Sequence, residues 1–261
     1  VDITTLAGVI VGFIAVIGAM IFKKISFSVF LNPAAFFVIF VGTTATILNS
    51  FPGRNLKSLG KLFKILFTKQ KGLTEVEIIK IMIALAIDVR KDGLLVLEKK
   101  IETIDDPFIK KAVNMVVDGA TEDYISETLG ADISAMEARH EANASIFSSA
   151  GAYAPTLGVL GAVFGLIAAM SHIDNTEAMA EAIAAAFIAT ILGIFTGYVL
   201  WNPFAKKLKM KSHHEALRKE MIIEGVLLLQ RGASTIQLKD RLLAVLPQSE
   251  QTKILEELSK N

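Results

Sequence analysis

The sequence predicts an all-α, polytopic membrane protein with four transmembrane helices and a helical cytoplasmic domain inserted between the second and third. Three observations carry that prediction. Hydrophobic residues make up 52% of the chain, and they gather in long blocks, whereas a soluble domain interleaves them with charge. Four blocks, Ile3 to Phe22, Pro33 to Asn49, Ser149 to Met170 and Ala182 to Trp201, contain no Asp, Glu, Lys, Arg or His. Each approaches the roughly 20 apolar residues that a helix needs to cross a bilayer. No stretch shows the period-two alternation of a strand.

The first block follows Val1-Asp2 with no basic segment ahead of it, and Lys23 and Lys24 come after it. It therefore reads as a retained helix and not as a signal peptide. The second block is short and carries Thr43, Thr44 and Thr46. From Pro52 to about Ile146 the chain is too charged to cross a membrane. There Glu75 to Arg90 reads as a helix that ends before Gly93, a C-capping glycine. Asp105-Asp106-Pro107 supplies a capping aspartate followed by proline at the first helical position. The stretch from Thr121 towards Ile146 runs on into the third span. After the fourth span, His214 to Arg231 forms an amphipathic helix ending at Gly232, and a shorter one follows to Leu246-Pro247. The segments are thus 1–51 with helices 1 and 2, 52–147 as the inserted domain, 148–201 with helices 3 and 4, and 202–261 with the C-terminal helices.

Basic residues set the orientation. Arg54, Lys57, Lys61 and Lys64 follow the second span, and Lys206, Lys207, Lys209 and Lys211 follow the fourth. The other side has Lys23 and Lys24, and the Ser171 to Glu181 loop is acidic without a basic residue. Both polar regions and both termini are therefore placed in the cytoplasm, with Tyr198 and Trp201 at the membrane interface.

A net charge of +1 argues against nucleic-acid binding, which calls for a strongly basic surface. With no cysteine, disulfides and thiolate metal sites are excluded. His140, His172, His213 and His214 form no ligand cluster inside a span, so no metal site and no cofactor is expected. No GxxxxGK loop occurs, which argues against nucleotide hydrolysis. An enzyme is not expected.

The third span carries a stripe without bulk, Ala154, Gly158, Gly161, Gly165 and Ala168, and the fourth a matching one, Ala186, Thr190, Gly193 and Gly197. The first has Gly8, Gly12, Ala15 and Ala19. Such faces let helices approach closely. Packing within the chain and packing between copies are both open, and a smooth face offers little interdigitation to a partner that slides past it. Thr190 is a hydroxyl on this narrow face, and Thr156 and Thr196 have weaker claims of the same kind. Each either bonds to its own helix or lines a hydrated cation path. Pro155 and Pro203 each remove a backbone donor, marking either a helix boundary or a hinge. Proton relays need an ionisable group in the membrane, and these spans have no acidic or basic residue. If protons move here, a partner must supply the titrating carboxylate.

Ala154-Pro155-Thr156-Leu157-Gly158-Val159-Leu160-Gly161-Ala162-Val163-Phe164-Gly165-Leu166-Ile167 resembles the third-helix motif shared by the MotA (motility protein A) and ExbB/TolQ proteins. Gly42-Thr43 with Phe51-Pro52, the segment from Arg90 to Glu98, and Thr190 to Phe204 with Asn202-Pro203-Phe204 resemble the MotA group more specifically. The four spans agree, since ExbB-type proteins typically have three. The resemblance implies a stator subunit of the bacterial flagellar motor in the inner membrane. It implies a pentameric ring of such subunits around a dimer of MotB-type partners whose transmembrane aspartate takes the ion, and contact with the rotor protein FliG. By the same resemblance Arg90 and Glu98 match rotor-interface charges, Pro155 and Pro203 match prolines implicated in coupling, and Thr190 matches a hydroxyl near the ion path. Read from the residues alone, Arg90 and Glu98 are solvated surface charges. Two other readings stand beside the stator: an ExbB/TolQ-type energy-transducing subunit and a non-conducting membrane scaffold.

Overall fold

The computed structural model describes residues 2–25, 27–30, 32–69 and 72–259. Residues 1 and 260–261, the outer ends of the first and last sequence segments, lie outside the described residues. Helices α1 (Ile3–Lys23), α2 (Pro33–Ser50), α3 (Gly53–Leu56), α4 (Leu59–Phe67), α5 (Glu75–Asp92) and α6 (Val96–Ile101) come first. They are followed by α7 (Pro107–Val117), α8 (Glu122–Met170), α9 (Thr176–Gln230), α10 (Thr235–Leu243) and α11 (Gln248–Ser259). There is no strand among the described residues. Among the described residues four helices, α1, α2, α8 and α9, are long and apolar enough to cross a membrane.

Local chemistry sets the helix ends. Asp2 caps α1 through the Thr5 amide, and Asn32 caps α2 through the Ala35 amide at 3.1 Å, with Pro33 in the first turn. Asn175 does the same for α9 through Ala178. Each side-chain oxygen satisfies a donor that the first helical turn leaves orphaned. Gly93, at φ 79°, ends α5 and accepts a left-handed backbone that a side chain would strain.

Two expectations for the last helices change. The sequence separates a fourth span ending at Trp201 from a tail helix starting at His214, but one helix runs unbroken from Thr176 to Gln230. A π-turn at Thr196–Trp201 lies just ahead of Pro203. Its wider winding makes room for the ring that would otherwise press on the preceding turn. The residues after Pro203 are mostly Lys, Leu, Met and Ala, which continue a helix readily. The boundary reading of the prolines fails for Pro155 as well, since it sits inside α8. A second π-turn, Phe37–Val41, interrupts α2.

The chain forms two compact units. The first takes residues 2–69 and 139–210. Beyond its spans it holds a cluster of Leu62, Leu66, Ala144, Phe147, Phe204, Ala205 and Leu208. The second takes residues 72–138 and 211–259 and has its own core. Ile78, Ile79 and Met82 of α5, Ile109 and Val113 of α7 and Met221, Val226 and Leu229 of α9 are among its buried side chains. Gly225 opens space there for Met82, whose Cγ would lie 2.8 Å from a Cβ at that position. The second unit therefore joins the inserted segment to the C-terminal helices around one apolar interior.

Two caps in the second unit yield predictions. The Asp106 carboxylate accepts from the amides of Phe108 at 2.9 Å and Ile109 at 3.0 Å. Asp106→Ala is expected to cost α7 about 1 kcal/mol, read as roughly fivefold faster amide exchange in its first turn. Unchanged exchange would show that the cap contributes nothing. At α5 the Thr74 amide donates to Glu77 at 2.7 Å and the Thr74 hydroxyl at 2.9 Å. These bonds hold the Glu77 carboxyl below its ordinary pKa, the backbone bond contributing most. A depressed pKa means that this support is present above the usual carboxylate range and is lost as pH falls through the folded value. Protection of the first turn of α5 should therefore drop on acidification in the wild type, and Glu77→Gln should flatten that dependence.

Candidate ion-path and coupling site

The small faces of α8 and α9 lie against each other. A Cβ built on Gly158 would sit 2.8 Å from the Ala189 carbonyl oxygen and 3.1 Å from the Gly193 Cα. At Gly193 it would meet the Ala154 carbonyl oxygen at 2.6 Å and the Gly158 Cα at 2.9 Å. At Gly165 the obstacle is Ala186, its Cβ at 2.8 Å, and at Gly161 it is the Ala189 Cβ at 3.0 Å. At Gly158 and Gly193 backbone meets backbone with no room for a Cβ, and at Gly161 and Gly165 an alanine methyl fills the space. These four glycines thus occupy a seam within one chain. Of the two kinds of packing left open by the sequence, the structure uses this face within the chain: Gly158 and Gly193 are buried, and Gly161 and Gly165 half-buried.

The fourth-span face also changes at one member. The contact runs through Ala182, Ala186, Ala189, Gly193 and Gly197, so that Ala189 (1% exposed) takes the place assigned to Thr190. With 3.6 residues per turn, either residue fits the spacing, and packing against Gly158 and Gly161 selects Ala189. Thr190 lies half-buried beside the seam, its hydroxyl donating to the Ala186 carbonyl at 3.2 Å.

Thr156 is exposed and donates to the Ala152 carbonyl at 3.4 Å. Thr196 is 2% exposed, with its hydroxyl within 2.8 Å of the Leu192 and 3.2 Å of the Gly193 carbonyl. All three hydroxyls therefore direct their proton onto their own helix. For Thr190 and Thr156 that leaves the oxygen lone pairs available to a cation. The Thr196 side chain is enclosed where the π-turn begins.

Around Pro155 the structure assembles a group that the sequence names only in part. A Cβ on Gly197 would lie 2.8 Å from Cγ and Cδ of the Pro155 ring and 2.8 Å from the Gly151 carbonyl oxygen. That carbonyl is the one whose helical donor Pro155 lacks. Gly151 in turn leaves room for the Asn202 side-chain amide, one residue before Pro203. The π-turn of α9 and the proline of α8 thus share one contact. Gly151 and Asn202 were missed as site residues. Extending the α8 stripe by three residues from Ala154 would have found Gly151, whereas Asn202 stands in the Asn202-Pro203-Phe204 resemblance with no role assigned to it.

Gly12 of α1 meets Val199 and Phe195 of α9, the Val199 Cγ1 falling 2.5 Å from a built Cβ. Gly42 of α2 meets Leu157 of α8 at 3.1 Å. In the second unit Arg90 lies near the end of α5 and Glu98 in the first turns of α6, on either side of Gly93. Both side chains are exposed, and neither has an ion-pair partner among the described residues. Nearby Lys100 and Asp88 do pair, at 2.9 Å.

Comparison with known proteins agrees with this architecture. Residues 100–221 match the MotA/TolQ/ExbB proton channel family. Motility protein A of Bacillus subtilis (strain 168) is 47% identical over 98% of this chain and 95% of its own. In the flagellar MotAB stator complex from Bacillus subtilis, a chain superposes with a TM-score of 0.92, covering 97% of this chain and 99% of that one. The C. jejuni MotAB structure gives 0.89 at 30% identity, with 95% and 97% covered. This chain, with its four apolar helices, its glycine seam and its proline-bearing third span, belongs to the MotA/TolQ/ExbB proton channel family, alongside the motility protein A sequences.

Proposed function

We propose that the chain is a stator subunit of the bacterial flagellar motor, coupling proton flow through the membrane to torque on the rotor protein FliG. One observation carries the mechanism. The apolar blocks of the four spans, Ile3 to Phe22, Pro33 to Asn49, Ser149 to Met170 and Ala182 to Trp201, contain no Asp, Glu, Lys, Arg or His. A relay across the bilayer needs such a group, so a second protein must furnish it. The similar solved structures are of MotAB assemblies, and a MotB-type subunit bringing a transmembrane aspartate fills this role. This chain forms a pentameric ring around a dimer of that partner in the inner membrane, and the basic residues after the second and fourth spans favour cytoplasmic termini.

In this reading Thr190 and Thr156 offer oxygen lone pairs along the path. A change of charge on the partner's aspartate shifts the contact of Pro155 with Gly197. The π-turn is already widened, so it deforms at lower cost than a regular turn. Arg90 and Glu98 then meet the rotor.

Two measurements test the proposal. A strain without stators of its own should swim when given this chain and a MotB-type partner, at a speed independent of external sodium, and should stop when the partner's aspartate becomes asparagine. In liposomes the chain alone should conduct protons far more slowly than the assembled complex. Equal rates would end the proposal.

A further inference from the structure

We infer that Lys57, Lys61 and Lys64 form a docking surface for the headgroups of anionic phospholipids in the cytoplasmic leaflet. The inference rests on the orientation proposed above. Helix α4 is amphipathic, and its apolar side is fixed: Leu62 and Leu66 are buried in a cluster with Ala144 and Phe147 of α8 and Phe204 and Leu208 of α9. Lys61 and Lys64, three residues apart, lie on one side of the helix, and Lys57 stands in the turn just ahead of it. At 100° per residue that side is opposite Leu62 and Leu66. All three are exposed.

The depth of α4 is fixed by aromatic contacts. The ring of Phe63 stands edge-on to Phe147 at 5.3 Å and to Trp201 at 6.4 Å between centroids. Trp201 closes the apolar run of the fourth span, where a tryptophan marks the headgroup level. The lysine side therefore points away from the protein at the height of the lipid phosphates.

Charge selects the ligand. Residues 51–69 include Arg54, Lys57, Lys61, Lys64 and Lys69 and no acidic residue. Two lysines after the fourth span are already engaged: Lys207 pairs with Asp2 at 3.0 Å and Lys209 with Glu141 at 2.6 Å. Lys57, Lys61 and Lys64 have no carboxylate partner among the described residues. A row of free ammonium groups continuous with the apolar spans, and anchored through its opposite face, is complementary to an anionic bilayer surface. The lipid would hold α4, and through Phe63 the inner end of the fourth span, at a set depth.

Trp201 is the single tryptophan of the chain, so it reports on the lipid beside α4. The complex of this chain with a tryptophan-free MotB-type partner is reconstituted in phosphatidylcholine vesicles, and Trp201 fluorescence is quenched with chain-brominated phosphatidylglycerol or chain-brominated phosphatidylcholine. The expected result is a preference for the anionic lipid of at least about fivefold, the effect of a single lysine near the surface. It should fall towards one in the Lys57→Gln, Lys61→Gln, Lys64→Gln variant and persist in the matching triple arginine variant. Equal quenching in the wild type, the outcome if a neighbouring copy or an acidic protein covers the stripe, overturns the inference. So does a preference that survives the glutamine substitutions. Orientation is checked separately. The chain has no cysteine, and Gly60→Cys, at an exposed position with open space around it, should react with impermeant maleimide only in inverted vesicles. Labelling in intact cells would overturn the orientation itself.

Discussion

Gly193→Leu is expected to abolish swimming by preventing α8 and α9 from closing on each other. The obstacles to even a single carbon at this position are the Ala154 carbonyl oxygen at 2.6 Å and the Gly158 Cα at 2.9 Å. Both belong to backbone, which cannot rotate aside as a flexible side chain can. Alanine would force the helices apart locally, at about 1–3 kcal/mol for overpacking. Leucine adds three further carbons in the same direction, and the membrane offers no hydrophobic drive to hold the pair together once close packing is lost. The yield of assembled complex should fall in the order glycine, alanine, leucine, and motility should fall with it. Gly130 is the contrasting case. It lies in α8 as well, with no atom within 4 Å of a built Cβ. Gly130→Ala should leave swimming intact and stabilise its helix by about 0.5–1 kcal/mol, since glycine loses the most freedom on folding. A Gly193→Leu strain that swims normally would show that the seam does not hold the spans together.

The double variant Arg90→Ala, Glu98→Ala is expected to lose most of its swimming while assembling normally. Both side chains are exposed and lack ion-pair partners among the described residues, so removing them should cost the fold little, as for most surface substitutions. What they contribute must then lie outside the chain. Their placement is firm, because Leu97 is fully buried and anchors α6 between the two charges, and Gly93 sets the turn. Charges held this way steer association and register more than they add affinity. Binding of the purified complex to the rotor protein should be weaker for the double variant at low salt, and the difference should shrink as ionic strength rises and screening shortens the reach of each charge. Proton-dependent growth inhibition by the co-expressed pair should persist, which separates loss of rotor contact from loss of conduction. Full swimming would remove these two residues from the rotor interface.

The two substitutions probe opposite kinds of legibility. Glycines at helical spacing announce close approach, because nothing else explains a bulk-free stripe in an apolar helix. Which surface they meet is another matter. The stripe on α8 is equally compatible with a neighbouring copy, a sliding partner or the same chain, and the structure places the Ala154, Gly158, Gly161 and Gly165 face on α9. Similarly, Thr190 and Ala189 are both within tolerance of a 3.6-residue repeat, and only the packed pair puts alanine in the contact and threonine beside it. Arg90 and Glu98 carried no signal of their own, being ordinary surface charges until the resemblance singled them out.

What the sequence determined by itself is local or compositional. Spans appear as uncharged apolar runs, and caps as Asp106-Pro107 and Gly93. Each follows from a few neighbouring residues and their solvent. The tertiary structure alone decided how distant stretches combine. It joined residues 72–138 with 211–259 around one core, carried α9 through Pro203 by way of a π-turn, and brought Gly151, Pro155, Gly197 and Asn202 into one contact. Those outcomes depend on which surfaces fit when whole helices are packed, and shape complementarity over many residues is not written in the spacing of any one of them.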